Sequence, residues 1–220
     1  MLFFHNLQHL NIKINPSLTP KSDLLPLILA SHSLTFLELS YRRGMTARSP
    51  ILPKSLHLPA LRTLHLEYVN FVATHDHYVD PFSNLHVLNT LVLRCCVLIG
   101  DALVLCISNQ TLCSLTIFHI CLADELLLST PNLCSFTILN SLIFQQALSS
   151  TCNLSFLQQV NIDGVKYPTP NLSKDIGKAS VFLSWLQVLA NVKILKIGYS
   201  VIQAIDNVSY SSILSLLYFD

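Results

Sequence analysis

A chain of 220 residues that is 51% hydrophobic and only 11% charged, with a formal net charge of +1, is too apolar for a disordered segment and too balanced for an electrostatic nucleic-acid binder. It is long enough to bury a sizeable core, as one domain or one elongated array. The mean hydropathy of +0.52 raises the question of a membrane span. Yet "LVLRCCVLIGDALVLCI" is broken by Arg94 and Asp101, and no stretch approaches the ~20 apolar residues a bilayer requires.

The start, "MLFFHNLQHLNIKIN", has no basic n-region, no continuous apolar run and no small-residue cleavage site, so an intracellular location, cytoplasmic or nuclear, is expected. Taken in chain order, the first element is an L-x-x-L-x-L unit formed by Leu7, Leu10 and Ile12. The same unit returns at Leu34, Leu37 and Leu39, at Leu61, Leu64 and Leu66, and at Leu88, Leu91 and Leu93, each start 27 residues after the last. Its last four residues alternate as a half-buried strand does. Further units are Leu112, Leu115, Ile117; Leu133, Phe136, Ile138; Leu157, Val160, Ile162; Val192, Leu195, Ile197; and Leu214, Leu217, Phe219. Their intervals of 24, 21, 24, 35 and 22 residues fall, but for the 35, within the range of leucine-rich repeats.

Between the units, "SDLLPLILASH" is expected to form a helix, with Ser22 as N-cap and Pro26 disturbing its first turns. "HDHYVDPFSN" is expected to make only turns, and "GVKYPTPNLSKDIG", within the long interval, a surface loop. "KASVFLSWLQVLANV" is the best helix, with Phe182, Trp185, Leu186 and Leu189 on one face.

One such unit cannot bury its own leucines, whereas stacked units share a core. The expected fold is therefore an α/β leucine-rich-repeat solenoid of about nine irregular repeats, a single domain over residues 1–220. Strands stack at about 4.8 Å and helices at nearer 10 Å, so the parallel sheet should line a concave face, with helices and turns on the convex one.

Residues between the core positions should point to that concave face. They are His9, Asn11, Lys13; Phe36, Glu38, Ser40; Thr63, His65, Glu67; Thr90, Val92, Arg94; Ser114, Thr116, Phe118; Ser135, Thr137, Leu139; Gln159, Asn161, Asp163; and Ile194, Lys196, Gly198. Candidate partner-binding residues among them are Phe36, Glu38, Thr63, His65, Glu67, Arg94, Phe118, Asn161 and Asp163. Scattered charges of both signs with apolar groups between them suit a protein partner better than a phosphate track.

Nothing signals a cofactor or a catalytic site. P-loop and dinucleotide glycine motifs are missing from a chain with only five glycines. The seven cysteines, Cys95, Cys96, Cys106, Cys113, Cys121, Cys134 and Cys152, show no C-x-x-C spacing and read as small core hydrophobes. Asn15 and Cys96 occupy the repeat position that bonds loop backbone. His75, Asp76, His77 and Asp80 are metal-ligand types, but in a proline-flanked loop they read as a solvated connector. The N-x-S/T sequons at Asn109, Asn153, Asn171 and Asn207 read as chance.

The ordered series "LPALRTLHLEYVNF", "LNTLVLRCCV", "LLLSTPNLCSFTI", "LQQVNIDG" and "FLSWLQVLANVKILKIGYSVIQAI" resembles the plant F-box proteins with leucine-rich repeats, the F-box/FBD/LRR group, over nearly the whole chain. The resemblance implies a non-enzymatic interaction module whose repeats select the protein to be ubiquitinated. In that group an upstream F-box docks the Skp-type adaptor of a cullin-RING ubiquitin ligase. Here the first repeat begins at Leu7 and the chain stops at Asp220 within the ninth unit, so a fragment lacking the F-box and the FBD region is expected, with adaptor binding only where an F-box lies upstream. The alternatives are an intracellular immune-receptor repeat fragment, which an upstream nucleotide-binding domain would distinguish, a non-functional partial gene product, and a cysteine-dependent enzyme.

Overall fold

The computed structural model describes residues 6–14, 24–41, 49–73, 77–119, 125–139, 147–148, 154–163, 184–199 and 201–202. It is an α/β architecture of parallel strands with few helices. Its largest sheet joins β1 (His9–Ile14), β2 (Phe36–Tyr41), β3 (Thr63–Glu67), β6 (Thr90–Arg94), β9 (Ser114–Phe118), β11 (Ser135–Leu139), β13 (Gln159–Asp163) and β14 (Ile194–Ile197), in chain order. Every neighbouring pair is parallel, and the register sets Leu10 beside Leu37, Leu64, Leu91, Leu115, Phe136, Val160 and Leu195.

Each strand of this sheet therefore contains the second and third apolar positions of one L-x-x-L-x-L unit, for eight of the nine units. The ninth, Leu214 to Phe219, lies outside the described residues. Alternation along each strand puts those two positions on one face: Leu37, Leu64, Leu91, Leu115, Phe136 and Val160 are all fully buried. A buried leucine of this kind contributes about 1.5–3 kcal/mol by leaving water.

The first apolar position caps a tight turn just before the strand. The N–H of Leu61 donates to the carbonyl of Leu58, Leu88 to Leu85, Leu133 to Thr130, Leu157 to Leu154 and Val192 to Leu189, all at 3.0–3.1 Å. The residue three before a unit forms a further column that is buried in most of them, at Ser31, Leu58, Leu85, Asn109, Thr130 and Leu189, and half-buried at Leu154.

One carbonyl at each strand entry accepts two amides from the next strand. Gln8 accepts from Thr35 and Phe36, Thr35 from Arg62 and Thr63, Arg62 from Asn89 and Thr90, Asn89 from Cys113 and Ser114, Cys113 from Cys134 and Ser135, and Cys134 from Gln158 and Gln159. Strand exits repeat as well. Tyr68, Cys95 and His119, each one residue past its strand, have φ of 56°, 50° and 52°, and their amides donate to Arg94, Phe118 and Leu139 of the next strand. A left-handed residue turns the chain out of the sheet at the same place in successive units.

The return segments differ from expectation. Through the middle of the chain they carry strands rather than helices and turns: β4 (Asn70–Val72) pairs with β7 (Val97–Ile99), and a second sheet runs β5 (Tyr78–Val79), β8 (Val104–Ser108), β10 (Glu125–Ser129), β12 (Ala147–Leu148). Stretches such as "VLCIS" and "ELLLS" are too short for a stable helix and extend by pairing with each other, β8 beside β10. "HDHYVDPFSN", expected as turns alone, contains β5. Helix appears where the 3.6-residue pattern was clearest: α1 (Leu24–Leu29), which includes Pro26, and 184–188, where Trp185 and Leu189 are buried and Trp185 stacks on Phe136 at 6.0 Å. Ser22 and Phe182 lie outside the described residues. One hydrophobic cluster takes side chains from all three sheets, among them Leu64, Phe71, Leu98, Leu105, Ile107 and Leu128.

Candidate functional site

The face of the eight-stranded sheet opposite the buried leucines carries three rows of side chains in register. The first runs His9, Phe36, Thr63, Thr90, Ser114, Ser135, Gln159, Ile194; the second Asn11, Glu38, His65, Val92, Thr116, Thr137, Asn161, Lys196; the third Lys13, Ser40, Glu67, Arg94, Phe118, Leu139, Asp163. The residues anticipated from alternation fall in these rows, except Gly198, which lies one residue past β14.

The first five rungs of the sheet hold most of its charged and aromatic side chains. The His9 ring stacks on Phe36 with centroids 4.0 Å apart, and His65 meets the edge of Phe36 at 5.2 Å. Asn11 Nδ2 donates to Glu38 Oε2 at 2.6 Å, and Ser40 Oγ donates to Glu67 Oε2 at 2.5 Å. Both pairs are 27 residues apart in sequence, one repeat, which is why they are lateral neighbours. Burial lowers the pKa of His65, with Glu38 raising it and Arg94 lowering it, so the environment favours the neutral ring. Val92, expected on the open face, is buried at the centre of the second row. Arg94 is exposed, and Phe118 beside it is half-buried.

The nine candidate partner-binding residues thus divide. Phe36, Glu38, Thr63, His65, Glu67, Arg94 and Phe118 span four adjacent strands, while Asn161 and Asp163 sit on β13, two strands beyond Phe118. Between them the face is neutral, built of Ser114, Ser135, Thr116 and Thr137. At the far end the Asp163 carboxyl lies so close over Gly198 that a Cβ there would collide with it. Gly198 is therefore a close-approach glycine that lets Asp163 pack.

Cys96 is fully buried, with its Sγ 3.6 Å from the Leu66 carbonyl and 3.5 Å from that of Arg94, and burial pushes its thiol up to about 12. At that value the thiolate is negligible at neutral pH, and the side chain bonds backbone. Cys113 and Cys134 donate to the carbonyls of Thr111 and Asn132. Asn15, Cys121 and Cys152 lie outside the described residues.

Asn109, which in the sequence stands only as a chance sequon, is a structural residue. Its buried Nδ2 donates to the carbonyls of Phe82 and Leu85, and its Oδ1 accepts from the amide and hydroxyl of Thr111. The signal was its place three residues before Leu112, in the buried column. In "HDHYVD", His77 Nδ1 lies 2.6 Å from the Asp101 carbonyl, and Asp80, whose pKa burial raises, accepts hydrogen bonds from Ser108, Phe82 and Ser83. His75 and Asp76 lie outside the described residues. Among the described residues no three His, Cys, Asp or Glu side chains converge as a metal site, and no helix is long and apolar enough to cross a membrane. In comparisons with protein-family models, curated proteins and solved structures, no match to this chain was found.

Proposed function

We propose that the chain is a leucine-rich-repeat solenoid that binds a protein partner through the open face of its eight-stranded sheet, and that it serves as the substrate-selecting array of an F-box-type ubiquitin ligase subunit. The observation that carries the binding reading is the register. Repeats that fix only leucines in the core bring unlike side chains, His9, Phe36, Glu38, His65, Glu67, Arg94 and Phe118, side by side on one surface. Such a face combines aromatic and Arg anchors with polar surroundings, the composition of an interface centre. The ligase assignment rests on the resemblance of the repeat series to that group.

The test is affinity enrichment from cell extract with the wild-type chain and with an Arg94→Ala, Phe118→Ala variant, read by quantitative mass spectrometry. A partner enriched by the first and lost with the second is expected. Equal recovery by both removes the face as the binding surface. For the ligase assignment, co-purification of the Skp-type adaptor is expected with a form that carries an F-box upstream of these repeats, and failure of such a form to capture the adaptor would remove that assignment.

A further inference from the structure

The sheet face is uneven, and its unevenness points to a kind of partner. Glu38 and Glu67 each give one carboxylate oxygen to a neutral donor, Asn11 and Ser40. Those bonds hold the carboxylates in place without cancelling their charge. Among the described residues the ion pair present is between His77 and Asp101, away from this sheet, so no cation of a described residue lies within ion-pair distance of Glu38 or Glu67. Between them stands His65, whose ring meets the edge of Phe36 and whose burial disfavours its charged form. Phe36, stacked on His9, forms an aromatic wall beside Glu38.

We propose that Phe36, Glu38, His65 and Glu67 form a cradle for a basic segment of the partner protein, an extended stretch presenting two arginine or lysine side chains. The inference rests on the reading of this face as the recognition surface and names the chemistry it selects. Glu38 and Glu67 lie on adjacent strands and two residues apart along them, a diagonal of about 8 Å. Alternate side chains of an extended peptide are about 7 Å apart, so an Arg-x-Arg pair spans both carboxylates. The aliphatic stems of those side chains would lie on the Phe36 and His65 rings, with the charged heads on the carboxylates. Arg94, beside Glu67, and Lys13, diagonal to Glu38 on the neighbouring strand, both exposed, are local competitors for that charge.

The probes are two fluorescein-labelled Gly-Ser peptides, one carrying Arg-Gly-Arg and one Glu-Gly-Glu, titrated against the full chain by fluorescence anisotropy. The arginine peptide is expected to bind about tenfold more tightly than its glutamate counterpart, and to weaken as salt rises. Paired Glu38→Gln and Glu67→Gln substitutions, isosteric and able to keep the Asn11 and Ser40 bonds, should weaken it about tenfold with an unchanged circular dichroism spectrum. Arg94→Gln should tighten binding of this short peptide about threefold, because the peptide reaches the carboxylates and none of the partner groups that Arg94 and Phe118 anchor, and misfolding cannot produce such a gain. Equal binding of the two peptides, indifference to the paired substitution, or no binding of the arginine peptide overturns the cradle. If the glutamate peptide binds instead and Arg94→Gln abolishes that binding, the face stands as a recognition surface and only the basic occupant is wrong. If neither peptide binds and partner enrichment ignores Arg94 and Phe118, the surface itself is wrong.

Discussion

Thr130 shows how the repeat decides the cost of one side chain. It sits in the turn column that Leu58 and Leu85 fill elsewhere, is fully buried, and its Oγ1 has no hydrogen-bond partner among the described residues. A buried hydroxyl left unpaired costs about 1–3 kcal/mol. Thr130→Val, which keeps the shape and removes the hydroxyl, should raise stability by about 1 kcal/mol in urea unfolding. Leu64→Ala, by contrast, empties a core position and should cost about 2–5 kcal/mol. His65 adds a pH term. Its pKa is lower folded than unfolded, so between the two values the unfolded chain binds more protons, and stability is whole above the ordinary histidine range and falls as pH drops through the folded value. His65→Asn should flatten that part of a melting-temperature profile against pH. At this scale the leucines were legible because burial needs only residue type and spacing. The carboxylate partners Asn11 and Ser40 were legible in principle, since lateral neighbours lie one repeat away, but hydrogen bonding between them depends on rotamers that spacing does not set.

Elements were readable where one periodicity dominated. Eight strands follow from a motif that alternates over four residues, and the helix about Trp185 follows from apolar residues three and four apart. The return strands β4, β5, β7, β8, β10 and β12 were not read, because each is short and is stabilised by the same segment of the neighbouring unit rather than by its own pattern. The strand exits were hidden for another reason. Tyr68, Cys95 and His119 are not residues that advertise a left-handed turn; tertiary context imposes it. For an L-residue that conformation costs about 1–2 kcal/mol. Cys95→Gly should therefore be neutral to stabilising by up to about 1 kcal/mol, and Cys95→Val destabilising by about 1–2 kcal/mol, in paired thermal melts. Loss of stability in the glycine variant would show that the Cys95 side chain contributes more than its strained backbone costs.

For the whole molecule, the equal spacing of the first four units makes those units exchangeable. Excising residues 62–88 joins Leu61 directly to Asn89 and rebuilds an uninterrupted L-x-x-L-x-L from Leu61, Leu91 and Leu93. Stability that sums over units and their nearest neighbours predicts a chain that still unfolds cooperatively, at lower temperature and with a smaller denaturant slope. Excision of half that length should abolish cooperative unfolding, because the register of β2 against its new neighbour would fall between strands. Circular dichroism melts of the two deletions separate these outcomes. The full-unit deletion also removes His65 and Glu67, so it should fold without binding the arginine peptide.

The joint between successive strands has a consequence for how such a chain can change over time. It is made by one carbonyl receiving two amides, and the residues supplying these groups are as unlike as Gln8, Thr35, Arg62, Asn89, Cys113 and Cys134. Since backbone alone makes the bond, drift at these sites is nearly unconstrained by the joint. Proline is the exception, having no N–H to give. The chain has ten prolines, and none falls among the donor pairs from Thr35 and Phe36 to Gln158 and Gln159. Two descendants of one ancestral array could thus keep identical joints while sharing little there beyond the avoidance of a single amino acid.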